Sequence, residues 1–490
     1  MKFRNKQKMV RQYLTGALGL ILFIGCAPKK TSKKPNIVYI LADDLGYGDI
    51  GPYGQKNIHT PNLDLLAQQG MLFTQHYSGS AVCAPSRCAL MTGKHSGRGD
   101  IRGNARFPGA SEGQIPLKEE TVTIAQVLQK QGYKTGIIGK WGLGYPGSSG
   151  SPENKGFDFF YGFNCQTHAH GYYPTYLWKN QDMWPIENPD IPLREAMDTT
   201  GIETLHADLF KKYQGQNHAN DLMLAEGVKF IKDQAKNPFF LYYASPLPHV
   251  ALQVPENDLE LYSGTFEETP YLGQRGYVPN WEPKATYAAM ISKLDNEVGT
   301  LIQTLKDQGI YQNTLVIFAS DNGPSVAGGA NPQHFNSSGG LRNHKGSVYE
   351  GGIRVPMIAS WPGNIKAGSI SGHVSAFWDI FPTLAEVAGA PSQNDIDGLS
   401  LLPTLLGKKQ AQHDHLYWEY NKSQSVIQGD WKGVRHWSKG QVGSMELYHL
   451  KNDPKEQHDL AKEQPAIIAK MEKIMESREP SPISKWNFKK

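Results

Sequence analysis

Four stretches of this chain run apolar with little polar alternation: NIVYILA, TGIIG, FFLYYA and TLVIFA. A strand with one wet face alternates, whereas a strand covered on both faces does not. Helical segments lie between these runs. TPNLDLLAQQG sets Thr60 as N-cap, Pro61 at the first helical position and Gly70 as the stop. TVTIAQVLQKQG reads as a second helix, ended by Gly132. Over residues 285–309, Ile291, Leu294, Val298, Leu301 and Leu305 share one helical face. Buried strands alternating with helices predict an α/β fold, a large and mostly parallel sheet between helices. The polar stretch from about Glu256 to Pro283 lacks periodicity and reads as a long surface loop.

The texture changes near residue 400. HLYWEY, SVIQGDWKGVRHW and MELYHLKNDPKEQHDLA are short, aromatic-rich runs broken by turn residues. They predict an antiparallel sheet, followed by a charged helix from about Pro465 to Arg478. The expected organisation is an α/β domain over 35–400 and a smaller α+β C-terminal subdomain over 401–490.

The other end begins basic and continues with an apolar run from about Leu14 to Gly25. That run is too short to span a bilayer and has the form of an export signal. Its end, LFIGC, resembles a bacterial lipobox. A leader over 1–25, lipidation of Cys26 and a basic tether over 26–34 are expected. The implied location is the bacterial cell envelope, on its periplasmic side or at the cell surface. The lipid would be the only membrane contact. Net charge is +4, much of it in this leader, which argues against a nucleic-acid partner.

Each apolar run ends in functional groups. NIVYILA leads into Asp43 and Asp44, TGIIG into Lys140, and LVIFAS into Asp321 and Asn322; FFLYYA is followed shortly by His249. In open α/β sheets, ligands bind beyond the carboxyl ends of the strands. Oxygen donors of this kind suit Ca²⁺ or Mg²⁺ rather than zinc. Singly, such carboxylates as readily cap a turn. Cysteine adds a question. The chain has four, Cys26, Cys83, Cys88 and Cys165, too few for a disulfide scaffold and without a CxxC pair. From composition alone, Cys83 in AVCAPSRCALMTGKH is either a packed core residue or a reactive one.

CAPSR, Cys83 to Arg87, matches the C-x-P-S-R signature of the type I sulfatases. PNIVYILADDLGYGDIGPYG, TGKHSGR, GYKTGIIGKWGLG, SDNGP and RNHKGSVYEGGIRVPMIASWPG resemble further segments of that family, from about Pro35 to about Lys462. The resemblance implies an alkaline phosphatase-like fold and hydrolysis of sulfate esters. It implies that Cys83 is oxidised to formylglycine by a formylglycine-generating enzyme before folding. The hydrated aldehyde would attack sulfur with one hydroxyl and expel sulfate through the other. Asp43, Asp44, Asp321 and Asn322, with the modified Cys83, would hold one Ca²⁺. Arg87 would contact the hydrate and the metal carboxylates. Lys140 and Lys345 would hold sulfate oxygens, and His249 would protonate the leaving alcohol.

One departure stands out. Where the family's lysine strand reads G-K-W-H-x-G, this chain has GKWGLG, with Gly142 in place of a histidine that is thought to act as base. NCQTHAHGYYPTYLW, 164–178, supplies His168 and His170 as substrate contacts or as replacement bases. Its aromatic content suits a sulfated saccharide, with a lean toward sulfated galactose units. Two other readings share the fold: a phosphomonoesterase or phosphodiesterase of the same superfamily, and a non-catalytic lipoprotein that binds sulfated glycans. The intact Cys83 signature argues against the first, and Cys83, Lys140 and His249 against the second.

Overall fold

The four apolar runs become neighbouring strands. In this computed structural model, which describes residues 34–108 and 112–488, Asn36–Ala42 pairs in parallel with Thr314–Ser320 on one side and Phe239–Ala244 on the other. Phe239–Ala244 pairs with Lys134–Lys140, and that strand with Phe159–Phe163, again in parallel. These five strands are the centre of a ten-stranded sheet. Its flanks turn antiparallel. Met357–Ser360 and Met71–Phe73 lie on one side, and the hairpin Tyr176–Lys179/Asp182–Pro185 on the other. The expected leader over 1–25, Cys26 and the tether up to Lys33 lie outside the described residues. No helix among the described residues is long and apolar enough to cross a membrane.

The apolar runs are explained by two cores. Successive side chains alternate between sheet faces. Val38, Ile40, Leu241, Tyr243, Val316 and Phe318 enter one core, and Ile37, Tyr39, Leu41, Phe240, Tyr242 and Ile317 the other. Helix Pro283–Asp307 covers the first face, and 18 of its 25 residues are buried, more than one amphipathic stripe requires. Its buried polar groups therefore need partners. Lys293 pairs with Asp221 and Asp258 at 2.6 and 2.8 Å. Asp295 accepts from the backbone N–H groups of Asn62 and Leu63 at 3.1 and 2.7 Å. Asp295 thus does the capping expected of Thr60 for helix Pro61–Gln69, while Thr60 Oγ1 accepts from Gly51 N instead.

The C-terminal strands Leu416–Tyr420, Ser423–Gln428, Trp431–Ser438, Gln441–Val442 and Glu446–His449 form a separate antiparallel sheet. Met471 and Met475 of helix Pro465–Glu476 are buried in the cluster behind it. From Lys34 onward the chain is one compact unit. The buried Lys432 ammonium, 2.9 Å from both Glu350 and Glu456, stitches this sheet to the main body. The 256–283 stretch is irregular apart from a helical turn, Glu256–Leu259, and a bridge between Tyr271 and Asn280.

Candidate active site

Four adjacent parallel strands end on the same side, so their C-terminal residues converge. Asp43 and Asp44 follow the strand Asn36–Ala42, Asp321 and Asn322 follow its neighbour Thr314–Ser320, and Lys140 closes Lys134–Lys140. Lys140 Nζ lies 2.5 Å from Asp43 Oδ2 and 3.6 Å from Cys83 Sγ. Arg87 Nε donates to Asp321 Oδ2 at 2.9 Å, its Nη2 is 3.7 Å from Asp43 Oδ2, and Nη1 donates to the Lys140 carbonyl. Lys345 Nζ meets Asp44 Oδ2 at 2.6 Å. Asn322 Nδ2 donates to Asp44 Oδ1 at 2.8 Å, and Asp44 N donates to Asp321 Oδ1 at 3.2 Å. Asp44 itself sits at φ +66°, a conformation rare outside glycine.

Cys83 opens the helix Cys83–Thr92, whose residues are all buried. Arg87, four residues on, lies one turn further along the same face. Asn104, an exposed residue, brackets the cysteine: its Oδ1 accepts from Ala84 N at 3.0 Å and its Nδ2 approaches Cys83 Sγ at 3.7 Å. Burial pushes the Cys83 thiol up to about 11, against the pull of Lys140 and Lys345. An unmodified Cys83 is therefore a thiol at neutral pH, a poor nucleophile and a poor metal ligand.

Electrostatics and donor chemistry test the metal assignment. Burial works to raise all three carboxyls. At Asp43, the cations Lys140, Arg87 and Lys345, together with His249, overcome it and hold the group below the usual carboxylate range. Asp44 stays raised despite Lys345, and Asp321, beside Asp43 and Asp44, is pushed up to about 7. Asp43 Oδ1 and Asn322 Oδ1 are buried without a hydrogen-bond partner. Ligand atoms of Asp43, Asp44, Cys83 and His249 all lie within 4.8 Å of one another. Orphaned oxygens beside under-compensated carboxylates fit a hard cation. Among the described residues this is the one cluster of that kind. Its closest grouping includes His249, while Asp321 joins through hydrogen bonds.

His249 Nε2 is 3.6 Å from Asp44 Oδ2, and its Nδ1 meets the Val250 carbonyl. A carbonyl only accepts, so Nδ1 carries the hydrogen. Burial, then Lys345 and Lys140, lower the imidazole well below its ordinary range, so it is neutral. His170 stacks on it, with centroids 4.9 Å apart and planes 11° from parallel. His168 turns away, with Nδ1 3.5 Å from Glu112 Oε1 and its ring on Tyr176 at 4.3 Å. Both histidines line a cavity of ≈ 160 Å³ beside the reacting centre, with Tyr176, Asp190 and Leu193.

Comparison with known proteins settles the family. Residues 35–390 match the family model described as Sulfatase, and residues 343–480 match that of the C-terminal part of N-sulphoglucosamine sulphohydrolase. The chain belongs to the sulfatase family. It is an enzyme, a sulfuric ester hydrolase. The N-acetylgalactosamine-6-O-sulfatase of Bacteroides thetaiotaomicron is 31% identical, covering 96% of this chain and 99% of that protein. Human arylsulfatase A is 35% identical over 82% of this chain and 74% of its own. The crystal structure of Ps i-CgsB, also solved in complex with k-i-k-neocarrahexaose, superposes with a TM-score of 0.74 at 28% identity. It covers 93% of this chain and 94% of that one.

Three residues of this sulfatase escape a sequence reading: Asn104, Gln166 and Tyr277, whose ring packs against His170 at 5.2 Å and edge-on to His249 at 6.1 Å. Gly142 has φ +80°, and a Cβ there would fall 1.9 Å from Gln166 Nε2. The space that a side chain at 142 would take is filled by Gln166. That residue is 3% exposed, and neither atom of its amide has a partner. The missing side chain at 142 was the only signal in the sequence, and it does not say what fills the gap.

Proposed function

We propose that this sulfatase hydrolyses sulfate esters on a carbohydrate, with residue 83 oxidised to formylglycine and one Ca²⁺ at the carboxylate cluster. The observation that carries the reading is the placement of Cys83. It is 1% exposed, within 3.6 Å of the Lys140 ammonium, and grouped with Asp43, Asp44 and His249. A buried thiol held protonated does little there, whereas an aldehyde hydrate at that carbon offers one hydroxyl to attack sulfur and a second to expel sulfate. Asp43, Asp44, Asp321 and Asn322 would hold the cation, which would draw charge from the ester.

Charge balance supports the same reading. Asp43, Asp44 and Asp321 are matched by Arg87, Lys140 and Lys345. A divalent cation would leave an excess of positive charge, suited to an anionic ester and to the sulfate it releases. Lys140 and Lys345 would bind the non-bridging oxygens, and Arg87 would keep Asp321 ionised and in place. Neutral His249 gains proton affinity once an anion offsets the two lysines beside it, and can then protonate the leaving alcohol. Gln166 cannot take a proton from the spare hydroxyl but can orient it. His170 is the nearer of the two candidate histidines to His249 for that proton.

A saccharide substrate is supported by the His168–Tyr176 wall and by the likeness to the N-acetylgalactosamine-6-O-sulfatase of Bacteroides thetaiotaomicron. The lean toward sulfated galactose units rests on the loop at 164–178. A lipid anchor at Cys26, placing the enzyme in the bacterial cell envelope, rests on LFIGC. Peptide mass spectrometry of protein made with a formylglycine-generating enzyme should find the aldehyde at residue 83. Chelation should abolish turnover, and Ca²⁺ should restore it. Full activity of Cys83→Ala would end this reading, and two zinc ions per chain would favour a phosphatase.

A further inference from the structure

The cations described above are committed to carboxylates, but one at the rim is not. Arg194 is exposed, and its guanidinium lies over the Tyr277 ring, 5.7 Å from the centroid. Among the described residues no carboxylate lies within ion-pair distance of it; the neighbouring Glu195 faces Lys212, at 3.9 Å.

Tyr277 is held in place at a conformational cost. Its φ is +67°, in the left-handed region where an aromatic residue is an outlier, and Gly276 before it has φ +78°. Such outliers persist where the surroundings over-determine them and cluster at functional sites. The surroundings are visible here. Met197 N donates to Leu272 O at 2.8 Å, and a Cβ on Gly273 would meet Glu195 O at 2.1 Å, so the loops carrying Arg194 and Tyr277 are packed as one piece. The Tyr277 ring then packs against His170 at 5.2 Å and edge-on to His249 at 6.1 Å. Leu193, the residue before Arg194, lines the cavity that His170 shares. A chain of contacts thus runs from the exposed guanidinium, through Tyr277, to the histidine nearest Asp44.

We infer that Arg194, braced on Tyr277, is a second anion-recognition point. It receives a negative group of the saccharide other than the sulfate that enters the reacting centre. The inference rests on the carbohydrate sulfatase reading above and narrows it: the preferred substrate carries at least two anionic groups, the second a sulfate ester or a carboxylate. A planar guanidinium with free donors suits either, bidentately, and stacking on an aromatic ring restricts its motion before the ligand arrives. The cost at Tyr277 is then the cost of aiming Arg194.

The test compares an aryl sulfate, a monosulfated sugar, a disulfated disaccharide and a disaccharide whose second charge is a uronate. Arg194→Ala should lower the preference, in kcat/KM, for a doubly charged disaccharide over the monosulfated sugar by about 10–100-fold, the loss expected for one charge-assisted pair. The loss should fall mainly on KM. Arg194→Lys should recover part of it, and the two disaccharides separate sulfate from carboxylate. Tyr277→Gly, which keeps the positive φ but removes the ring, should lose the preference as well, while Tyr277→Phe, which keeps the ring under the guanidinium, should retain it. An unchanged preference in Arg194→Ala would overturn the inference. So would an equal loss on all four esters. If the wild-type enzyme hydrolysed none of them, the carbohydrate sulfatase reading would fail instead. Calorimetric binding of the disulfated disaccharide to wild type and Arg194→Ala would still decide this one.

Discussion

The floor of the active site and its rim are built by different means. The floor is a set of strand ends: Asp43, Lys140, Asp321 and Asn322 sit at the ends of central strands that are hydrogen-bonded on both sides, and all four are fully buried. The rim is made of loops, at 164–175, 190–197 and 271–280, tied down by turns and loop-to-loop contacts rather than by a strand ladder, as where Ala251 N donates to His170 O at 3.3 Å. A rigid floor suits a reaction whose atoms are the same in every sulfate ester. A loop-built rim can change with the molecule that carries the ester.

The largest effect that would test this division is Lys140→Ala. It removes one of the cations proposed to bind sulfate and strands Asp43, its buried partner at 2.5 Å. Turnover should fall by ~10²–10³ or more on any ester, and stability by ~3–5 kcal/mol. His168→Ala, at the rim, should cost less than about tenfold and act mainly on saccharides. Equal losses for the two variants on an aryl sulfate would erase the distinction.

Gly142→Ala probes the seam between floor and rim. The new methyl would combine a φ of +80° with a contact 1.9 Å from Gln166 Nε2. A loss of ~1–3 kcal/mol is expected in urea unfolding. Gln166→Ala in the same chain should return the steric part and leave the backbone part. A Gly142→Ala protein as stable as wild type would mean that Gln166 does not hold this space.

A further test, with no effect on turnover at a fixed pH expected, lies beneath the floor. Glu297 is buried, accepts from Asn220 at 2.8 Å and Ser245 at 3.0 Å, and is pushed by burial from 4.5 up to about 7. The folded protein keeps this proton to higher pH than the unfolded chain. The stabilisation is therefore full below 4.5 and is lost as pH rises through 7, by up to ~3 kcal/mol. Relative to wild type, Glu297→Gln should become steadily more stable from about pH 5 to pH 7 and level off above. Parallel pH profiles for the two proteins would show that Glu297 is ionised throughout.

Much of the floor was legible in the sequence for a physical reason. Apolar runs buried on both faces mark central parallel strands, and a central strand can end only at the crevice. Asp43, Asp44, Lys140, Asp321 and Asn322 could be placed together on that ground, and the CAPSR resemblance added Cys83 and Arg87. His249, on the loop just after FFLYYA, was placed by the same strand ends, and only Lys345 came from the resemblance. What escaped depends on tertiary packing. Asp295 replaces Thr60 as a cap because a distant helix delivers a carboxylate to the same backbone. Gln166 matters only through the gap at Gly142. Tyr277 lies in a stretch read as plain surface loop, and a left-handed φ at a tyrosine leaves no trace in composition or period.

Burial of the helix that begins at Cys83 has a consequence in time rather than in space. Residue 83 is 1% exposed and every residue of Cys83–Thr92 is buried, so a second enzyme cannot close its own active site around that carbon once the chain has folded. On the reading proposed here, oxidation competes with folding during a single early window. A molecule that folds first is shut out of maturation for the rest of its life. The active fraction of a preparation would then record a race in the newly made chain, and later addition of the modifying enzyme would not raise it.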